Sequence, residues 1–380
     1  MNVLQLNSGN ETGGGMFHIL SLMKQLKKDI HITLGVFHEG ELSKRARELG
    51  IPVKIFEQKS KFDVLIVKEL KTFIENKHID ILHSHGARAN FISFLLQRKI
   101  QFTWFITVHS DPFDDFLNQG IKGKIFTHLN LQAIKAADQI LAISEQFRLK
   151  LLGLGIMQNK VITILNGIDF EVKPKEVYKR LDFGLSDNDF VMMMIARLEH
   201  VKRHETAFMA IHRVLKKKKN IHLLLIGDGS RCMELQEMAR TMGIQNHVQF
   251  LGYRNDVTEL LPLCDITLLT SQSESFPLVL LESARAKKPI IATDVGGVRL
   301  IVQDHKFGRI IQVGDVKDLA GKIEELYKLK ENGKLQEMGD LLYAHARVRF
   351  SEEAFAQSVL KSYYKSTLLN HKEMYGSQSG

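Results

Sequence analysis

Short runs of consecutive apolar, largely β-branched residues alternate along the chain with longer stretches whose apolar positions recur every three to four residues. VLQL (3–6), HITLGVF (31–37), VKIF (53–56), DILHSH (80–85), FTWFITVH (102–109), QILAIS (139–144) and VITIL (161–165) read as strands buried on both faces. Between them, Gly15–Lys27, Phe62–Lys77, Ala87–Gln97 and Ile121–Ala136 read as amphipathic helices. Strand and helix taking turns predict a doubly wound parallel sheet with right-handed crossovers.

The rhythm pauses once and restarts. Residues 171–189 (EVKPKEVYKRLDFGLSDND) are charged, contain a proline and lack periodicity, which predicts a linker. Beyond it, FVMMMIA (190–196), IHLLLIG (221–227), HVQFLG (247–252), DITLLT (265–270), PIIAT (289–293) and GRIIQV (308–313) repeat the strand pattern. The expected organisation is a first Rossmann-like domain over 1–170, a linker over 171–189 and a second Rossmann-like domain over 190–350. A last helix over 351–373 either closes the second domain or crosses back to the first. Ligands of such sheets bind beyond the carboxyl ends of the strands, so two facing domains predict one cleft.

A chain of 380 residues with 44% hydrophobic content has enough apolar material for two cores, and only its last residues (YGSQSG, 375–380) look loose. Cys232 and Cys264 are the only cysteines. They are expected as small buried apolar residues in a reducing compartment, with no disulfide framework. The amino-terminal residues read as a strand, not a secretory signal, and Phe91–Val108 is broken by Gln97-Arg98-Lys99. A cytoplasmic protein is expected, at most peripheral to a membrane. The net charge of +9 suits phosphorylated ligands or an anionic surface. Its densest cluster, Lys216–Lys219, reads as a solvated helix C-terminus. No zinc-finger or aromatic-basic signature accompanies it, so no specific nucleic acid is expected.

Four places carry candidate chemistry. Gly13-Gly14-Gly15 follows the first strand, where a glycine turn lets backbone approach an anionic ligand; a tight structural turn is the equal alternative. His109 ends its strand run and could bond a substrate hydroxyl or donate to a developing charge, or pack as an ordinary loop histidine. Arg197 and Lys202 flank the turn after the first strand of the second domain, where two cations could neutralise a diphosphate. Glu274 precedes Ser275-Phe276-Pro277-Leu278, with Pro277 suited to the first turn of a helix that carries Glu282. The HSH run is read as setting His83 and His85 on opposite faces of a strand, so no metal site is expected.

Taken together, TGGG (12–15), TVH (107–109), ADQILAIS (137–144), NGID (166–169), ARLEHVK (196–202), IGDGS (226–230), FLGYRNDV (250–257), ESFPLVLLES (274–283) and PIIATDVGG (289–297) resemble the retaining nucleotide-sugar glycosyltransferases of family four, which have the two-domain GT-B fold. The resemblance spans nearly the whole chain. It implies that Arg197 and Lys202 hold the donor diphosphate, Glu274 the transferred sugar and Glu282 the ribose. It also implies that His109 lies near the reacting carbon and that Gly14, Gly15, Gly227, Ser275, Phe276, Pro277 and Leu278 complete the donor site. It implies transfer with retention from a nucleotide-diphosphate sugar, a UDP-sugar first among them, and no cofactor or essential metal. The acceptor is left open as a sugar, a lipid-linked or a small-molecule acceptor in surface polysaccharide or glycolipid synthesis, with peripheral contact to an anionic inner leaflet. The chain departs from the pattern at Gly15-Met16-Phe17 and at Arg299-Leu300. Alternatives are a catalytically inactive binding protein of the same fold, a sugar-nucleotide epimerase or a phosphorylase.

Overall fold

The computed structural model describes residues 1–11, 13–57, 65–109 and 120–376. It divides into two units, Met1–Gly167 with the chain from Glu352 onward, and Ile168–Ser351. In the first unit, strands β1 (Asn2–Asn7), β2 (His31–Val36), β3 (Val53–Ile55), β4 (Ile81–His85), β5 (Thr103–Val108), β6 (Gln139–Ala142) and β7 (Val161–Thr163) alternate with helices α1 (Gly13–Leu26), α2 (Glu41–Glu48), α3 (Leu65–Asn76), α4 (Ala87–Gln97), α5 (Gly120–Ala136) and α6 (Glu145–Gly153). Their sheet order is β3-β2-β1-β4-β5-β6-β7, all parallel.

The second unit holds β8 (Phe190–Ile195), β9 (Ile221–Ile226), β10 (Val248–Phe250), β11 (Ile266–Leu269), β12 (Ile290–Thr293) and β13 (Gly308–Ile311). Its helices are α7 (His204–Val214), α8 (Cys232–Thr241), α9 (Val257–Leu260), α10 (Leu278–Arg285), α11 (Val298–Ile301), α12 (Val316–Glu331) and α13 (Leu335–Phe350), and α14 (Glu352–Gly376) follows in the first unit. The order β10-β9-β8-β11-β12-β13 is again parallel throughout. Each sheet reverses its direction of growth once, between β1 and β4 and between β8 and β11. Those switch points open a crevice at the strands' carboxyl ends, because neighbouring crossovers leave on opposite faces.

The apolar runs form strands because both faces are covered. Phe190 to Met194 are at most 1% exposed, and each such side chain contributes roughly 1.5–3 kcal/mol by leaving water. Trp104 is fully buried and donates its Nε1–H to Ser84 Oγ at 2.9 Å, so its polar edge is satisfied.

Several expectations are corrected. The stretch 171–189 is not a free linker, because Arg180 binds it to the second unit. Arg180 Nε donates to the Leu263 carbonyl at 3.0 Å, and Nη2 meets Asp265 Oδ1 at 3.0 Å. The boundary accordingly falls at Gly167–Ile168, before position 170. Of the two alternatives expected for the last helix, the one found is its return to the first unit, where Lys24 and Gln25 of α1 each reach Glu352 Oε2 at 3.1 Å. Cys264 is buried, but Cys232 is only partly so, and both are free thiols. Lys217 and Lys218 pair with Glu324 and Glu331 of α12, in keeping with an ordinary charged surface. Thr12, residues 58–64 with the expected helix start at Phe62, Ser110-Asp111-Pro112 and residues 377–380 lie outside the described residues. No helix among the described residues is long and apolar enough to cross a membrane.

Candidate active site

In the second unit the candidate residues gather at the β8/β11 switch point. Arg197 follows β8 and is exposed, and among the described residues its guanidinium has no hydrogen bond or ion pair. Lys202 ends a short 3-10 turn, His200–Lys202, just ahead of α7. Glu274 lies in the loop between β11 and α10. Lys202 Nζ donates to Glu274 Oε1 at 2.6 Å, and Ser271 Oγ donates to the same oxygen at 2.6 Å. Thr270 Oγ1 donates to the carbonyls of Lys202 and Arg203 at 2.9 and 3.1 Å, while Gln272 N–H donates to the Val201 carbonyl at 2.7 Å. These bonds tie the Lys202 turn to the Glu274 loop. The two residues assigned separately to diphosphate and sugar are in direct contact.

Glycines shape both turns. Gly227, after β9, has φ +139, and a Cβ there would stand 2.0 Å from the Ala196 carbonyl oxygen, next to Arg197. Gly296 has φ +50, and its Cβ would stand 2.0 Å from the Glu274 carbonyl oxygen. Gly297 N–H donates to the Ser275 carbonyl at 3.0 Å, and a Cβ there would strike the Phe276 ring at 2.4 Å. Only glycine lets these backbones close on one another.

Pro277 is the N-cap of α10 (φ −77°, ψ 101°), one position ahead of the first-turn place expected of it. Phe276 is buried, whereas Ser275 and Leu278 are partly open. Glu282 lies one turn into α10, and burial pushes its carboxyl above the usual carboxylate range. No hydrogen bond reaches that carboxylate among the described residues, which leaves it as an acceptor for a ligand.

In the first unit the glycines are not a turn ahead of α1 but its first turn, so the helix starts at Gly13, before the expected Gly15. A Cβ on Gly14 would meet nothing within 4 Å, while one on Gly15 would meet the Glu11 carboxylate. Protein packing therefore does not demand glycine at position 14.

His109 follows β5 directly and stands in a cluster of imidazoles. Its ring packs edge-on to His18 of α1 at 4.6 Å and lies 5.3 Å from that of His85, which stacks on His83 at 4.4 Å. His83 and His85 thus share one face of β4. The expectation of opposite faces is wrong, because strand side chains repeat every two residues. His18, His85 and His109 each offer a ring nitrogen within 4.8 Å of the other two, a grouping able to hold a metal ion. The 3.0 Å contact between His85 Nδ1 and His109 Nε2 is accounted for as a hydrogen bond without one. His18 donates from Nδ1 to Asn166 Oδ1 at 2.6 Å, and its Nε2 is buried with no partner. Burial holds His83, His85 and His109 well below the usual imidazole range, helped by their mutual proximity, and lowers His18 to about 4. All four are neutral near pH 7.

The sequence reading does not single out Ser271, Gln5 or His18, and it sets His85 aside. For the histidines a signal existed, since His83 and His85 are two apart on a strand and His18 lies on the apolar face of α1.

Comparison with known proteins shows the family of the chain. Residues 179–340 match the family described as Glycosyl transferases group 1, and residues 12–172 match Glycosyltransferase Family 4. An uncharacterized glycosyltransferase of Methanocaldococcus jannaschii is 30% identical over 85% of this chain and 89% of its own. The N,N'-diacetylbacillosaminyl-diphospho-undecaprenol alpha-1,3-N-acetylgalactosaminyltransferase of Campylobacter jejuni is 26% identical over 93% of this chain and 96% of its own. Among solved structures, Anabaena HepE in complex with UDP superimposes with a TM-score of 0.79 at 20% identity, covering 96% of this chain and all of that one. The fold is GT-B, with two Rossmann-like domains. The protein is a group 1 glycosyltransferase of family four, an enzyme of the hexosyl-transferring kind.

Proposed function

We propose that the enzyme takes a UDP-sugar and transfers its hexosyl group, with retention of anomeric configuration, to a lipid-linked or saccharide acceptor of surface-polysaccharide or glycolipid assembly. The carrying observation is the Lys202–Glu274 pair at 2.6 Å, with Arg197 exposed just after β8 and without a side-chain hydrogen bond among the described residues. As the glycosidic bond breaks, negative charge builds on the departing diphosphate. Arg197 offers a planar fork and Lys202 a point charge to meet it, placed before the reaction starts. Glu274 accepts from hydroxyls of the transferred sugar, and Glu282 from the ribose diol.

Gly14 lets the backbone of α1 approach the donor phosphates. His109 takes a hydroxyl of the sugar near the reacting carbon. With two cations on the diphosphate, transfer is expected without a divalent metal. Uridine is favoured by the UDP bound to the Anabaena structure, and a lipid-linked acceptor by the undecaprenol diphosphate in the Campylobacter enzyme's name. The net charge of +9 favours contact with an anionic leaflet.

The deciding experiment is a thermal-shift panel with UDP, GDP, ADP and CMP, then the matching nucleotide-sugars, with and without magnesium. A ligand at about a hundred times its dissociation constant adds roughly 2.7 kcal/mol, a shift of a few degrees. UDP alone is expected to respond. A response to GDP or ADP would replace the base, and no response at all would remove the donor site.

A further inference from the structure

The candidate active site explains what His109 touches but not which of its nitrogens carries the proton. Behind His109 lies a chain of hydrogen bonds that ends in the last helix. Gln5 of β1 donates from Nε2 to the Tyr363 hydroxyl of α14 at 2.9 Å, and its Oε1 faces His85 Nε2 at 2.6 Å. His85 Nδ1 in turn faces His109 Nε2 at 3.0 Å. Every residue between the two ends is fully buried, so no solvent competes for these atoms.

The direction of each bond follows from the amide. An amide oxygen only accepts, so His85 must carry its proton on Nε2. A neutral imidazole has one N–H, which leaves His85 Nδ1 as an acceptor. His109 must then donate from Nε2, and its own Nδ1 is left with a bare lone pair. Tyr363 meets the amide from the other side, where its hydroxyl accepts from Nε2. Having accepted from Gln5, it gives its one proton to His83 Nδ1 at 2.5 Å, and His83 Nε2 donates to Thr107 Oγ1 at 2.8 Å. Turning the Gln5 amide over would reverse every bond in the chain and put a proton on His109 Nδ1. The direction of the chain therefore rests on the Gln5 amide, with Nε2 on the Tyr363 hydroxyl and Oε1 on His85.

We propose that Gln5, His85 and Tyr363 are positioning residues that lock His109 in its Nε2–H tautomer, so that Nδ1 meets the ligand only as a hydrogen-bond acceptor. This rests on the reading of His109 as a donor-sugar contact and deepens it. An acceptor nitrogen takes a hydroxyl hydrogen and gives nothing to a phosphate oxygen. His109 is then a neutral acceptor for a sugar hydroxyl, in contrast to the cationic donors Arg197 and Lys202 proposed for the diphosphate. Of the two roles open to His109 from the sequence, binding a hydroxyl is kept and donation to a developing charge is excluded.

The test is a long-range proton–nitrogen correlation spectrum of the full-length, nitrogen-15-labelled enzyme at pH 7.5, with His109 assigned by its loss in His109→Gln. The expected signature is a protonated Nε2 and an unprotonated Nδ1. A protonated Nδ1 would overturn the proposal. In Tyr363→Phe the amide loses its anchor, so His109 should show a mixture of both tautomers. Turnover of UDP-glucose or UDP-N-acetylglucosamine, followed as UDP release, should fall about tenfold in kcat with UDP affinity unchanged. An unaltered tautomer and kcat in that variant would sink the positioning role. Gln5→Glu, which keeps an acceptor towards His85, should retain the Nε2–H signature; a shift to Nδ1–H there would count against the chain. The wild-type spectrum decides the tautomer even if a variant fails to fold. If the wild type turns over neither sugar nucleotide, the donor reading falls while the spectrum still decides the lock.

Discussion

Lys202 Nζ and Glu274 Oε1 lie 2.6 Å apart, with their side chains only 17% and 13% exposed. Each ion offsets part of the other's cost of leaving water, so the ammonium proposed for phosphate is held by the carboxylate proposed for sugar. A diphosphate must compete for it. Lys202→Ala should therefore weaken UDP binding about tenfold or more and cut turnover. Glu274 keeps Ser271 as a donor, so the fold should lose only about 1 kcal/mol. Calorimetric titration with UDP, beside a denaturant curve, checks both. Unchanged affinity and rate would remove Lys202 from the diphosphate site.

Glu274→Ala breaks the same pair from the other side, with a different expected result. Lys202 is released, so UDP should bind at least as tightly as in the wild type. Transfer should still slow by about a hundredfold, since the sugar loses its carboxylate. Parallel titration and product assays separate the two effects. Full transfer activity in this variant would show that the loop's carboxylate does not handle the sugar.

Two glycines invite opposite outcomes. Gly227→Ala forces a Cβ to within 2.0 Å of the Ala196 oxygen at φ +139, and should cost about 3 kcal/mol of stability. Gly14→Ala meets nothing within 4 Å and sits in the first turn of α1, so it should leave stability unchanged or raise it by about 0.5–1 kcal/mol. If Gly14 serves approach to the donor, its variant should nonetheless transfer sugar more slowly. Wild-type rates in Gly14→Ala would make that glycine an ordinary helix start.

The apolar runs made the sheets legible. FVMMMI could be little else than a strand covered on both faces, and the helix over 87–97 was readable to the residue. Short charged helices such as Glu41–Glu48 and Glu145–Gly153 escaped notice because their apolar positions are too few to show a period. The proposed linker was misjudged because its charges satisfy partners far away, with Arg180 reaching Asp265 across the chain. Arg197, Lys202, Glu274 and Glu282 were visible as residue types in a motif. Their pairing was not, since Lys202 and Glu274 are 72 positions apart and nothing local encodes the contact. The buried imidazoles were hidden for a similar reason. Gln5 lies within β1, His85 ends β4 and His109 follows β5, so they meet only when the three strands align.

Those imidazoles also set a pH dependence. His18 is buried between Phe355, His85 and His109, with Asn166 on its Nδ1, and burial lowers it to about 4 from an ordinary 6.5. Above pH 6.5 the ring is neutral in folded and unfolded chains alike, and stability is unaffected. Between pH 6.5 and 4 the unfolded chain takes up a proton that the folded chain refuses, so stability falls with pH. The loss from His18 alone approaches about 3 kcal/mol at pH 4. His83, His85, His109 and His204 shift in the same direction, His204 also to about 4, and add to the slope. Denaturation midpoints taken from pH 7.5 down to pH 5 should therefore fall steadily. His18→Leu should flatten that slope whatever it does to stability at pH 7.5. A wild-type midpoint that does not move across this range would mean that the histidines are solvated and charged, and that the cluster is not buried as described.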